Sequence, residues 1–113
     1  MFEVIRRFIE RGRKGYCYED LWEFDNWLSS LIARGLREFK KNCHTYPNDL
    51  NDWDKWMATL DEMIDCFEEQ SRNIENLPDT NMLKTYSQRQ KIKKQKLHRG
   101  LGLLEKYYYD LWD

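Results

Sequence analysis

The residues best suited to chemistry in this 113-residue chain are three cysteines and two histidines. Thiolate and imidazole groups are the usual ligands of zinc, and Cys17, Cys43, His44 and Cys66 could in principle supply four of them. They lie on three separate segments, and the one neighbouring pair, Cys43 and His44, is adjacent rather than spaced for chelation. The sequence therefore predicts no metal and no cofactor, with Cys43 and Cys66 as half-buried thiols at helix edges.

Catalysis by a carboxylate and a histidine would need side chains such as Asp25 and His44 to converge, and nothing in their spacing brings them together. The sequence contains no Glu-x-x-His pair, glycine-rich phosphate loop or nucleophile elbow. We therefore expect a protein that is not an enzyme. An enzyme that uses Asp25 and His44 is the third alternative.

Asp25 falls inside the apolar arc of a predicted helix, among Leu21, Leu28 and Ile32. A carboxylate in that position must be paired or hydrogen-bonded, because burial of an isolated charge is very costly. We expect Asp25 to be a buried polar anchor that accepts a hydrogen bond from a Trp, a Tyr or a basic side chain.

The stretch SQRQKIKKQKLHRG, residues 87–100, contains six bases and no acid. These bases are Arg89, Lys91, Lys93, Lys94, Lys96 and Arg99. At 100° per residue they encircle a helix, so an acidic flank on one neighbour can face only part of them. The rest would contact an acidic protein surface or, alternatively, the phosphates of a nucleic acid. A solvated stretch that is balanced at long range is the other interpretation.

The overall charge hides two opposite blocks. The chain has 19 basic and 20 acidic residues, a net charge of -1. Residues 49–75 contain nine acids and two bases, a net of -7, whereas residues 80–104 contain seven bases and no acid, a net of +7. Within the first block, one flank of a predicted helix forms a solvated acidic surface of Asp54, Asp61, Asp65 and Glu68.

Apolar residues recur at intervals of three and four on both sides of Pro47 and Pro78, which predicts helices joined by short connections. We expect an all-α, single-domain bundle over residues 1–113, with three long helices and a short N-terminal helix. The N-terminal helix is predicted from Phe2 to about Arg11, with Gly12 as its stop.

The second helix is predicted from about Glu19 to Lys41. Its apolar residues spread over half the circumference, so we expect it to be the central element, in contact with two other helices. They are Leu21, Phe24, Trp27, Leu28, Leu31, Ile32, Leu36 and Phe39. Gly35 lies in the same arc, where it costs roughly 1 kcal/mol against Ala unless a neighbouring helix uses the gap for close approach.

The third helix, residues 53–75, has a narrower apolar stripe and Asn51 as its predicted N-cap. A last helical stripe begins after a cap at Asp79 or Thr80 and runs to the end of the chain. Polar residues interrupt this stripe near its middle. Either the helix passes beyond its neighbours there, or the segment breaks near Gly100 and Gly102.

The aromatic ending YYYDLWD divides between core and surface. Tyr108, Leu111 and Trp112 keep the helical period and are expected in the core. Tyr107 and Tyr109 flank them and would contribute to an exposed surface for a partner, including a second copy of the chain.

The opening MFEVIRRFIERG is too short and too charged for a signal peptide, and no run approaches the roughly 20 apolar residues of a membrane span. An odd number of cysteines without CxxC spacing favours a reducing compartment. We expect a soluble cytoplasmic protein that does not bind a membrane.

Three blocks of the sequence form a recognisable pattern: YEDLWEFDNWLSSLIARGLREFKKNCHTYP, WDKWMATLDEMIDCFE and GLGLLEKYYYDLWD. They resemble a family of small, mostly uncharacterised proteins of tailed bacteriophages and prophages. The matching positions are Asp20, Leu21, Trp22, Asp25, His44, Tyr46, Pro47, Trp53, Leu60, Asp61, Met63, Ile64, Phe67, Tyr107, Leu111, Trp112 and Asp113. The chain departs from the pattern at Thr45 and Cys66, where glycine is commoner in the family.

The resemblance implies a phage-encoded protein in the cytoplasm of a bacterial host and carries no activity. Small phage proteins without enzymatic motifs often act by binding host machinery. We therefore expect a non-enzymatic interaction protein that binds a host or phage macromolecule, with inhibition of a host defence nuclease complex as one role. The alternative is a nucleic-acid-binding accessory protein that uses residues 89–99.

Overall fold

The computed structural model describes residues 1–71 and 82–112, with side chains from Tyr86 onward in the second range. It contains four α-helices: α1 (Phe2–Lys14), α2 (Phe24–Asn42), α3 (Trp53–Ser71) and α4 (Met82–Tyr107). No strand occurs in the described ranges, so the predicted all-α bundle is confirmed. The predicted continuation of the third helix to Glu75 and the caps at Asp79 or Thr80 lie outside the described residues.

The central helix is α3, which packs against α2 on one side and against α4 on the other. Its buried residues dominate the core, and Trp56, Leu60 and Met63 are completely buried. The expectation that the second helix is central is wrong. The width of an apolar arc indicates how much apolar surface a helix has to bury, but not which neighbouring helices bury it. In this chain, the narrower stripe of α3 is the one that other helices cover on both sides.

The described residues cover only one side of α2. Ser29, Ala33 and Leu36 are buried against the core, while the predicted core residues Phe24, Leu28 and Leu31 are exposed. The helix begins at Phe24 rather than Glu19, because residues Tyr18–Leu21 form a separate 3₁₀ turn. The Asp20 carboxylate accepts the backbone N–H of Cys17 at 2.8 Å, which closes this turn as a capping box.

Helix α1 continues through Gly12 and ends one turn later than predicted. Gly15 takes the left-handed conformation, with φ of 85°, and its N–H bonds to the carbonyl of Arg11. A left-handed cap suits glycine because it has no Cβ. No residue of α1 is buried.

Helix α3 begins at Trp53, as predicted, but its capping residue is not the predicted Asn51. Asn51 is in the left-handed region, with φ of 49°, and precedes the cap rather than forming it. The Asp52 carboxylate accepts the N–H of Asp54 at 2.9 Å, so Asp52 is the capping residue.

Helix α4 runs without a break through Gly100 and Gly102, antiparallel to α3. The side chain of Gln70 donates to the carbonyl of Lys93 at 2.8 Å, and Arg99, further along α4, contacts Glu62. Gly100, the next residue of α4, is buried against α3, and a Cβ added there would lie 2.8 Å from the Cβ of Cys66. The absence of this side chain allows α4 to approach α3 closely.

At the end of α4, three aromatic residues depart from their predicted positions: Tyr107, Tyr108 and Trp112. Tyr107 is only 4% exposed, and its ring centroid lies 5.5 Å from that of Trp56. Tyr108 and Trp112 are exposed, so their predicted burial is wrong. The α-helix ends at Tyr107 and a 3₁₀ turn follows at Tyr108–Asp110, which changes the period that the sequence pattern assumed.

We predict that Gly100→Ala lowers the free energy of unfolding by about 1–3 kcal/mol, because the added methyl group overpacks the α3–α4 contact. Gly102→Ala is the matched control, since a Cβ there meets nothing within 4 Å. That control should be neutral or stabilising by up to about 1 kcal/mol through helix propensity. Urea denaturation measures both, and equal effects would contradict the proposed close contact.

Candidate functional site

The residues considered for metal binding or catalysis do not converge. Within residues 1–71 and 82–112, no group of three or more His, Cys, Asp or Glu side chains could hold a metal ion. All three cysteines are buried free thiols, and burial raises the pKa of Cys66 above its ordinary value. Asp25 lies in the first turn of α2 and His44 lies beyond its last residue, and the helix from Asp25 to Asn42 spans about 26 Å at 1.5 Å per residue.

Asp25 is exposed, so the predicted buried polar anchor is wrong. Its carboxylate accepts the backbone N–H of Asn26 at 2.9 Å in the first turn of α2. The predicted burial was wrong because α2 begins later than expected and because the described residues do not cover the apolar side of α2 next to Asp25. A negative charge in this turn complements the helix dipole and remains in water.

The predicted acidic surface of α3 does not form one solvated flank, because most of its members pair with neighbouring helices. On the α2 side, Asp61 contacts Lys40 at 2.6 Å, and Glu68 contacts Arg37. On the α4 side, Asp65 contacts Lys96 at 3.0 Å. Asp61 and Asp65 remain exposed although they are paired, and Asp54, in the first turn of α3, is exposed and has no ion pair among the described residues.

The basic segment of α4 is partly neutralised by these acids. Lys96 contacts Asp65 and, at 3.9 Å, Glu69, and Arg99 contacts Glu62 at 2.6 Å. The hydrogen bond to Glu62 raises the pKa of Arg99.

The other four bases of this segment, among the residues that the structure describes, have no carboxylate within ion-pair distance. Lys91 and Lys94 are exposed, and Arg89 and Lys93 are half-buried. The predicted ring of positive charge therefore divides into a paired part next to α3 and an unpaired part closer to the start of α4.

Exposed aromatic side chains gather at one end of the α3–α4 pair, where α3 begins and α4 ends. We call this group the aromatic end. It consists of Tyr46, Trp53, Tyr108, Tyr109 and Trp112.

Two edge-to-face pairs are formed within the aromatic end. The rings of Tyr46 and Trp53 lie 6.5 Å apart, and those of Tyr108 and Tyr109 lie 5.3 Å apart. The predicted exposure of Tyr109 is confirmed at 86%, and Trp112 is 71% exposed. The sequence pattern indicated Tyr109 but not Tyr46 or Trp53, which the turn between α2 and α3 brings to the same end.

Helix α1 is attached to the 3₁₀ turn by ion pairs. Arg7 contacts Glu19 at 2.8 Å, Arg6 also contacts Glu19, and Arg11 contacts Asp20 at 2.7 Å. The hydrogen bonds from Arg6 and Arg11 hold the pKa values of Glu19 and Asp20, respectively, below their ordinary values. This network was not predicted, although the three arginines share the side of α1 opposite its apolar residues.

An open groove of about 550 Å³ lies beside this network, between the 3₁₀ turn and α2. Trp22 and Trp27 line it together with Glu19 and Asp20. Both carboxylates are already engaged by arginines of α1, so they are not positioned as free acids or bases.

Comparison with known proteins finds no matching family model, no matching curated protein and no matching solved structure. None of the described helices has the length and apolar character needed to cross a bilayer.

We predict that the attachment of α1 depends on pH. Because the folded-state pKa values of Glu19 and Asp20 lie below their unfolded values, the ion pairs stabilise the folded chain above about pH 4 and lose this effect as pH falls further. Amide hydrogen exchange measures the protection of α1. The Glu19→Gln/Asp20→Asn variant should protect α1 less than the wild type at pH 7, and the two should converge in acid. Equal protection at pH 7 would contradict this assignment.

Proposed function

We propose that the protein is a non-enzymatic interaction protein that binds a protein partner through the aromatic end. The observation that supports this is the exposure of Tyr109 and Trp112 on a rigid base. Tyrosine and tryptophan are enriched among the residues that dominate binding energy at protein interfaces. Three other aromatic residues of the same end enlarge the surface available to a partner.

The base beneath these side chains belongs to the buried core. Tyr107, directly before the 3₁₀ turn, packs edge-to-face against the fully buried Trp56. Phe39 of α2 also packs against Trp56, at a ring distance of 6.5 Å. Because the backbone that presents Tyr108 and Tyr109 is fixed in this way, binding would order little more than side chains. A low ordering cost favours affinity.

The resemblance to proteins of tailed phages suggests a bacterial host protein or a phage protein as the partner. Inhibition of a host defence nuclease complex is the specific role we propose. The acids of α3 are not proposed to make this contact, because Asp61, Asp65 and Glu68 are engaged by bases of α2 and α4. The contact is instead aromatic.

We predict that the Tyr109→Ala/Trp112→Ala variant loses the partners that the wild type captures from a bacterial host lysate. Truncation of two interface anchors should weaken the isolated complex at least tenfold, which corresponds to about 1.4 kcal/mol or more. Calorimetric titration of the captured protein measures this change. Trp22→Ala is the matched control, since Trp22 is 69% exposed but lies at the opposite end of α2. Equal capture by both variants would refute the role of the aromatic end.

A second candidate function is binding of nucleic acid through α4. The observation in its favour is that Arg89, Lys91, Lys93 and Lys94 have no ion pair with a described carboxylate. Four bases can neutralise about four phosphates, which limits the affinity that this segment can supply.

If nucleic acid is bound, we predict a slope of log K against log salt no steeper than about -4 on duplex DNA. Lys91→Gln/Lys94→Gln should reduce the magnitude of that slope by about 2, because two phosphate contacts are removed. Lys55→Gln, an exposed lysine of α3, is the control and should leave the slope unchanged. An affinity that does not depend on salt would exclude this candidate.

A further inference from the structure

Two apolar helix surfaces are not covered by any part of the chain that the structure describes. The first is the α1 face, formed by Phe2, Val4, Ile5, Phe8 and Ile9. Phe2 is 90% exposed and Phe8 is 78% exposed. Single exposed apolar residues are normal on a protein surface, but a contiguous group of large ones is not. A contiguous apolar face of this kind indicates a site of association.

The α1 face points away from the body of its own chain. At 100° per residue, its five apolar side chains occupy one half of the helix circumference, and Arg6, Arg7 and Arg11 occupy the other half. Those arginines hold the polar half against Glu19 and Asp20 of the 3₁₀ turn. While these ion pairs are in place, residues 1–71 and 82–112 leave the apolar half open to another molecule.

The second surface is the α2 stripe, formed by Phe24, Leu28, Leu31 and Gly35. These residues lie within about 60° of one another on the helix, roughly a third of a turn from the buried side that faces α3. A Cβ added at Gly35 would meet nothing within 4 Å. The stripe therefore offers three apolar side chains beside an open position into which another helix could pack.

We propose that two copies of the chain form a dimer in which the α1 face of each copy packs on the α2 stripe of the other. The exposed apolar side chains of α1 present about 600 Å², and those of the α2 stripe about 250 Å², estimated from ordinary side-chain areas. Neither alone reaches the roughly 800 Å² per partner of a standard interface, whereas the two together do. A reciprocal exchange covers both surfaces and closes with two-fold symmetry.

Charge complementarity supports the same pairing. Helix α1 carries five bases and two acids, a net of +3. Arg13, which borders the α1 face, has no ion pair among the described residues, and exposed Asp25 and Glu23 lie next to Phe24 at the start of the stripe. Opposite charges at the rim of such an interface would favour this orientation over the pairing of two positively charged α1 helices.

Analytical ultracentrifugation of the full chain, from micromolar to millimolar concentration, tests the proposal. The wild type should form dimers, and Phe8→Glu and Leu31→Glu should each raise the dimer dissociation constant at least tenfold. Ile92→Glu is the matched control, because Ile92 is an exposed apolar residue of α4 outside both surfaces, and it should dimerise as the wild type does.

A mixture of the Phe8→Glu and Leu31→Glu chains distinguishes exchange from other arrangements. The mixed dimer retains one intact contact, between the α1 face of one chain and the α2 stripe of the other, so it should form more tightly than either variant alone. This recovery would also show that both variant chains are folded.

Three results would overturn the proposal. A wild type that stays monomeric over the whole concentration range would mean that the α1 face is covered by its own chain or by a different protein. Dimerisation that survives Leu31→Glu would indicate α1 paired with α1, and a mixture without recovery would exclude the exchange. The test is independent of the aromatic end, since Tyr109→Ala/Trp112→Ala should leave the dimer unchanged.

Discussion

The packing of α3 between α2 and α4 is the constraint on which the rest of the structure depends. Trp56, Leu60 and Met63 exclude water completely, and burial of large apolar side chains is the main source of stability in a domain of this size. Gly100 permits the closest part of that packing. Because α3 uses the neighbouring helices on both of its sides, α2 and α4 each retain a side that the described chain leaves in contact with water.

The opposite charge blocks of the sequence follow the same geometry. Antiparallel packing sets Glu62 against Arg99 and Asp65 against Lys96, so the acids of α3 and the bases of α4 meet across one interface. Exposed pairs of this kind contribute little individually. They act mainly on the register of the two helices, since a shift of one turn would separate every pair. The same arrangement places no described acid opposite the bases beyond this interface, such as Lys91.

The sequence predicted the helices, the bundle and the narrow apolar stripe of α3, because helical periodicity reports which face of each helix is apolar. It did not predict which helix is central. The apolar arc of α2 is wider than that of α3, but arc width does not say whether the same chain supplies the cover. The prediction that Asp25 is buried was wrong for this reason. The prediction that Trp112 is buried was wrong because a 3₁₀ turn precedes it, which periodicity alone does not reveal. At the candidate site, the exposure of Tyr109 was predictable from the sequence. The position of Tyr46 and Trp53 at the same end was not, because it depends on how α2 and α3 are connected and packed.

The uncovered surfaces lie at opposite ends of the molecule, and this separation has a physical consequence. The aromatic end is where α3 begins and α4 finishes, whereas the α2 stripe starts at Phe24, near the end of α3 where Ser71 lines the same groove as Trp22. A molecule seated on one end therefore does not block the other. If two copies associate through α1 and α2, the dimer presents two aromatic ends on one rigid body. For a partner that is itself repeated, the second contact then forms at high effective concentration, so modest contacts at each aromatic end can combine into tight binding.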